Sequence, residues 1–259
     1  MVPRLVNNKW FSSVRWLVLG TVLCVGCSFG FVESLRDSSF SPRNVIVGLC
    51  FGGAAAIVFI IVLIYAIRSS FRPAPKRDAL VVVLCSYFSL ILVFAAVYYS
   101  MAFLGDHQDA ENRWWWYRDE ALRTAGHPDQ KIKTYAGDHR AFHGFDENLW
   151  ASADEDTWAS LNLPANWNMK DFPTLDPTTT DFWRVHNQEV KFRPNARLAV
   201  ALDCFHLSVV TMATLGYGDI YPKAPYAKLA TDVEVLSGVT LIVIALGMIF
   251  GNWHDERRH

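Results

Sequence analysis

No cysteine stands in the polar part of this 259-residue chain; Cys24, Cys27, Cys50, Cys85 and Cys204 all lie in apolar segments. That excludes a disulfide framework outside a membrane. Cys24-x-x-Cys27 is one pair without further ligands inside a lipid-length run, and it reads as apolar filling in preference to a metal site. No apolar run carries arginine or lysine at every third position, so a helix that moves charge through a membrane field is not expected. No nucleophile stands at recognisable spacing from a base, so the chain is not expected to be an enzyme. Only eight residues follow Gly251, and no cytoplasmic ligand-binding domain is expected on the last helix. Excess charge is also missing: the formal net charge is -1, and no nucleic-acid partner is expected.

What the chain has is apolar sequence, 52% of its residues, kept apart from the polar ones. A hydrocarbon core of ~30 Å needs ~20 apolar residues in a helix. Residues 16–32 offer a short span, 45–67 a comfortable one and 79–104 a long one; 105–195 are polar, and a last span begins near Ala224 and runs apolar from Val235 to Trp253. In the second span Gly48, Gly52 and the small residues 53–56 suit close helix packing. Arg4, Lys9 and Arg15, and then Arg68, Arg72, Lys76 and Arg77, flank spans on sides that belong in the cytoplasm. This places 105–195 outside and both termini inside. The first span also shares a basic start with signal peptides, and Cys27 after Gly26 resembles a lipoprotein cleavage site. Cys24 stands where such a site wants leucine and no Ala-x-Ala follows, so an intact helix is expected.

Residues 196–210 are too short and interrupted for a crossing but suit a re-entrant helix, whose irregular continuation survives at membrane depth only inside protein or a watery cavity. The C-terminal end of such a helix favours a cation. Thr-Leu-Gly-Tyr-Gly-Asp follows at 214–219, and Gly216 and Gly218 permit unusual backbone angles at alternate positions. An ordinary Gly-Tyr-Gly turn is the plainer reading, disfavoured by the short helix ahead and the apolar span behind.

Residues 209–219, Val-Val-Thr-Met-Ala-Thr-Leu-Gly-Tyr-Gly-Asp, resemble the pore loop of potassium channels, both voltage-gated and bacterial single-pore types. The resemblance covers about 60 residues, 196–253. It implies a homotetramer in which backbone carbonyls of Thr214, Leu215, Gly216 and Tyr217, with Gly218, replace the hydration shell of K+. The Thr214 hydroxyl would add a ring of ligands, and the Leu215 and Tyr217 side chains would brace the filter. Thr211, His206, Asp219 and Glu234 would support it, with Asp219 at the outer mouth. Glu234-x-x-x-Gly238 resembles the inner-helix pattern of small bacterial members, making Gly238 the hinge and Ile242, Leu246 and Phe250 the lining and gate. Plain packing is an equal reading of that stripe. The chain departs from the family at Ala213 and Leu215, and more so at His206 and Leu207, which replace an aromatic pair. Leu207 has no side-chain donor for the filter, which implies softer discrimination against Na+. His206 invites a pH-sensing reading, since imidazole titrates near neutrality; a space-filling histidine is preferred.

The polar block holds Trp114-Trp-Trp-Tyr117, Trp150, Trp158, Trp167 and Trp183, and prolines at 128, 164, 173, 177 and 194. From 105 to 196 it has sixteen acidic residues against ten basic ones, an acidic vestibule that would attract cations. A loop this long suggests a folded cap. His139-x-x-x-His143 beside Asp138, with His107, His127 and His186, is a metal or proton-sensing candidate, although a solvated loop is preferred. The tryptophans are candidates for stacking on an unknown extracellular ligand, with core packing preferred.

These readings combine into an all-α membrane protein of four transmembrane helices, one re-entrant pore helix and filter, and a large extracellular insertion. Residues 1–104 hold three spans, 105–195 the cap, and 196–259 the pore helix, filter and inner helix. The expected function is passive K+ conduction through a homotetramer in the lipid bilayer of a plasma membrane, the inner membrane if bacterial, with no organic cofactor. The alternatives are a poorly selective cation channel and a non-conducting membrane sensor with a ligand-binding external block.

Overall fold

In the computed structural model of the chain the described residues are 8–35, 76–124, 140–152 and 190–250, with isolated helical positions between 50 and 68. Helix α1 runs Asn8–Leu35 and helix α2 Lys76–Thr124. After the short strands β1 (Phe142–His143), β2 (Trp150–Ser152) and β3 (Val190–Phe192) come helix α3 (Arg197–Met212), strand β4 (Tyr221–Pro222) and helix α4 (Pro225–Phe250). Among the described residues three helical stretches are long and apolar enough to cross a membrane: Val14–Leu35, Leu80–Arg113 and Pro225–Gly247. The protein is thus mostly helical and multi-pass. The expected span 45–67, with Gly48 and Gly52, lies largely outside the described residues; Gly53, Ile57, Ile60, Ile61 and Ile64 within it are helical and exposed.

Helix α2 is the element on which the others pack, touching α1, α3, α4 and strands β2 and β3. It buries residues on more than one face: Val82, Val83, Leu90, Val93, Phe94, Tyr98 and Phe103 are all covered, as a helix flanked on two sides must be. At 49 residues it is roughly 74 Å long, more than twice the hydrocarbon core. The apolar stretch ends near Leu104, but the helix does not. Gly105 interrupts neither end of it, and Ala110, Glu111, Arg113, Glu120, Ala121 and Leu122 are good helix formers. The aromatic run 114–117 therefore begins on a helix rather than in a loop.

The described parts of the block 105–195 that follow α2 are folded back on the C-terminal part of that helix. Strand β2 pairs antiparallel with β3, Trp150 opposite Phe192 and Ser152 opposite Val190, so the chain leaves and re-enters this region through one ladder. Trp150 is buried against Phe103 (5.4 Å between ring centroids), Phe192 (5.4 Å) and His107 (4.6 Å). Residues 125–139 and 153–189 fall outside the described set, and with them His127, Asp138, His139, His186, Trp158, Trp167 and Trp183. Among the described residues no group of three His, Cys, Asp or Glu is arranged to hold a metal.

Candidate functional site

Pro194 opens a 3-10 turn, Pro194–Ala196, that feeds the chain into α3. Val200, Cys204, Leu207, Ser208 and Thr211 are buried, a spacing of four, three, one and three that makes one helical stripe; it lies against α2. Sixteen residues give a helix of roughly 24 Å, shorter than a hydrocarbon core.

The C-terminus of α3 is closed by the loop that follows. The Thr214 N–H donates to the Thr211 carbonyl (3.0 Å) and the Leu215 N–H to the Val210 carbonyl (3.0 Å). These are the paired bonds of a Schellman cap, which needs a left-handed residue directly after the helix. Thr214 is that residue, at φ +55°. A β-branched side chain in this region is strained by about 1–2 kcal/mol, and such strain persists where surrounding structure imposes it. Gly216 (φ +51°) and Gly218 (φ +79°) repeat the left-handed conformation, while Leu215 and Tyr217 do not. An ordinary strand points successive carbonyls to opposite sides; changing handedness at every second residue opposes that alternation and turns neighbouring carbonyls toward a common side. Residues 214–219 are all exposed in the single chain, Leu215 by 57% and Tyr217 by 67%.

Beyond the loop, His206 Nε2 lies 3.2 Å from Asp219 Oδ2, and its ring stacks on Tyr217 at 6.2 Å and 13°. One side chain of α3 thus touches both the last tyrosine of the loop and the acid at its exit. Leu207, its neighbour, is buried. The backbone N–H of Ile220 foremost, and His206 as well, hold the Asp219 carboxyl below the usual carboxylate range.

Glu234 of α4 is fully buried. Tyr98 of α2 donates its hydroxyl to Oε2, and Ser208 of α3 reaches Oε1. Ser208 Oγ also lies 2.9 Å from the Ile91 carbonyl of α2. The carboxylate is therefore the knot between three helices, placed behind the C-terminal half of α3. Four residues on, Gly238 is buried in unbroken helix, and a Cβ there would lie 3.0 Å from the Met212 carbonyl oxygen and 3.1 Å from its sulfur. The glycine sets how closely α4 approaches the end of α3. Ile242 and Leu246, one and two turns further along α4, are exposed, and the Phe250 side chain lies outside the described residues.

A second grip on the loop comes from the segment around β1. Strand β1 pairs antiparallel with β4, Phe142 opposite Pro222 and His143 opposite Tyr221, and the His143 and Tyr221 rings stack at 5.0 Å. The Ala141 carbonyl accepts from the N–H groups of Lys223 (2.9 Å) and Ala224 (3.2 Å). Gly144 (φ +93°) sits so close that a Cβ would lie 1.9 Å from the Asp219 carbonyl oxygen. Gly105 plays the same part below, where a Cβ would lie 2.4 Å from the Ala141 nitrogen.

Of the residues singled out in the sequence, 206, 211 and 214–219 come together at one end of α3, with Glu234 and Gly238 behind. Sequence reasoning missed Tyr98, Ser208, Gly105 and Gly144. Ser208 carried a faint signal, a polar residue on the apolar stripe of α3; Tyr98 carried none.

The ion channel family pattern matches residues 190–252, the stretch from β3 to the end of α4. Over 57 residues the chain is 39% identical to the voltage-gated potassium channel Kch of Escherichia coli, covering 22% of this chain and 14% of the relative. It is 37% identical over 59 residues to the inward rectifier potassium channel Kirbac3.1 of Paramagnetospirillum magnetotacticum, 23% of this chain and 20% of the relative. It is 34% identical over 65 residues to the delayed-rectifier potassium channel regulatory subunit KCNS2 of Homo sapiens, 25% and 14% respectively. The chain thus spans a fifth or less of the length of these curated relatives. No solved structure matches it. Segment 190–252 thus matches the ion channel family and is similar to part of several potassium channels.

Proposed function

We propose that four copies of this chain assemble about one axis and conduct K+ passively down its electrochemical gradient. The observation that carries this is the left-handed backbone at Thr214, Gly216 and Gly218, hung from the end of a helix too short to cross a bilayer. Four such loops, carbonyls inward, would present stacked oxygen rings in place of water. In this reading the carbonyls of Thr214, Leu215, Gly216 and Tyr217 hold the ion, and α3 is re-entrant with its partly negative end toward it. Asp219 stands at the mouth; His206, Thr211 and Glu234 hold the frame; Gly238 and the face with Ile242, Leu246 and Phe250 belong to the inner helix and its gate. The insertion is extracellular and both termini cytoplasmic, in a plasma membrane. Apolar side chains bare in one copy support assembly: Leu198 and Leu202 of α3 and Leu229, Leu236 and Val243 of α4 need lipid or a second copy to cover them.

The test is flux of K+ into liposomes holding the purified protein, with Gly216→Ala as the control. Gly216 has open space around it, so alanine strains only the backbone, by about 1–2 kcal/mol; flux should collapse while the assembly survives. Undiminished flux in that variant would overturn the reading.

The buried Leu207 favours one refinement. It offers no donor to the loop, so the outer part is held by His206 from α3, and selection for K+ over Na+ is softer than an aromatic pair would give. Reversal potentials in mixed K+ and Na+ decide it. Folded, assembled protein that passes neither ion would instead make the chain a sensor.

A further inference from the structure

The loop 214–219 is held twice, at its entrance by the end of α3 and at its exit by the pairing of β1 with β4, and one side chain of α2 reaches both holds. Tyr98 is completely buried. Its hydroxyl donates to Glu234 Oε2 of α4 and lies 3.4 Å from Thr231 Oγ1, three residues earlier on that helix. Glu234 in turn accepts from Ser208 of α3, three residues before Thr211, whose carbonyl takes the Thr214 N–H. The tyrosine ring meets a different partner. Phe142 of β1 lies against it in a T-shaped pair, 5.3 Å between centroids and 73° between planes. Phe142 is itself buried, stacks on Phe145 at 5.3 Å and stands opposite Pro222 of β4. The residue before it, Ala141, holds the N–H groups of Lys223 and Ala224. The hydroxyl thus leads to the entrance of the loop and the ring to its exit.

A phenol suits this place for a physical reason. Phenylalanine would fill the same space and leave a buried carboxylate oxygen short of a donor; serine would supply the donor and lose the ring that meets Phe142. Fixed by a hydrogen bond at its tip and by close packing along its flank, the ring passes a displacement on one side to the other, because a core packed to crystal density transmits strain. We propose that Tyr98 is a positioning residue that sets the two ends of the loop relative to each other, so that a change at either end is felt at the other and in the choice of ion. The effect on ion choice rests on the proposed channel function; the coupling of the two ends stands without it.

The first experiment needs no conduction. Full-length protein in detergent micelles is followed by amide hydrogen exchange, read by mass spectrometry on fragments that hold the N–H groups of Thr214 and Leu215 and, separately, those of Lys223 and Ala224. Exchange there reports local opening of these bonds. Ser208→Ala takes one partner from Glu234 and leaves the tyrosine in place; it should speed exchange at 214–215 about tenfold and leave 223–224 unchanged. Tyr98→Phe takes the other partner and unpins the ring. It should speed 214–215 by a similar factor and also 223–224, about threefold or more, the scale of one aromatic pair. Coupling is reciprocal, so Phe142→Leu should speed 214–215 as well as 223–224. Tyr98→Phe with 223–224 unchanged, or Phe142→Leu with 214–215 unchanged, overturns the coupling. Equal acceleration at both places in Ser208→Ala also overturns it, since the whole fold would then be loosened whichever partner is removed. The second measurement is the reversal potential with K+ and Na+ on opposite sides of a bilayer. A purely structural contribution would lower the amount of current and leave this potential alone, whereas Tyr98→Phe and Phe142→Leu should each move it toward zero. Accelerated exchange beside unchanged reversal potentials would overturn the effect on ion choice. Were the unaltered protein to carry no current, the channel reading would fail and exchange alone would still decide the coupling.

Discussion

Thr214 shows how much a single residue is asked to do in this loop. It closes α3 as a Schellman residue in a conformation that glycine would adopt without strain, and its hydroxyl is retained at the proposed innermost ion site. Thr214→Gly should therefore stabilise the fold by about 1 kcal/mol while impairing K+ selectivity, measured as a melting temperature and a reversal potential. Asp219 is a second case. Its carboxyl is held below the ordinary range by the Ile220 N–H and by His206. A depressed carboxylate contributes stability that is complete above its unfolded value, ~3.9, and lost as pH falls through the lower folded value. The melting-temperature gap between the protein and Asp219→Asn should thus close as pH falls below ~3.9. Glu234 is the third. Tyr98→Phe and Ser208→Ala each remove a partner from a buried acceptor, at a cost of about 1–3 kcal/mol. Because both act on one carboxylate, the double variant should lose less or more than the sum, read by chemical unfolding.

Among elements, the grip of β1 on β4 yields the sharpest expectation. Gly144→Ala puts a Cβ where the Asp219 carbonyl oxygen already is, so either the strand pair opens or the loop exit moves. K+ flux should fall about tenfold or more, on the scale of a strain exceeding 1.4 kcal/mol, with four-copy assembly retained. Element by element, legibility follows the range of the forces involved. The first, third and last spans and the short helix α3 were readable because hydropathy and length are local properties of the chain. The backbone angles of Gly216 and Gly218 were readable because glycine is the residue that permits them. The continuation of α2 past Leu104 was not, since a helix leaving lipid loses its apolar signature but not its hydrogen bonds. Tyr98 and Gly144 were hidden for another reason: one meets its partner 136 residues away, the other 75, and no local pattern encodes such a meeting. The left-handed Thr214 contradicts local preference outright, as functional sites do.

At the scale of the molecule, one copy is unfinished. Its loop is exposed, and its α3 and α4 carry bare apolar side chains. Each deficit is met if four copies close around an axis, because the same loop then supplies all four sides of every ring. The central claim is that those rings select K+. The direct measurement is the reversal potential of purified protein in a planar bilayer, with K+ on one side and Na+ on the other. The account predicts a potential far from zero in the direction set by K+, and no current from Gly216→Ala. A reversal at zero, or a folded four-copy assembly that carries no K+ current, would contradict it.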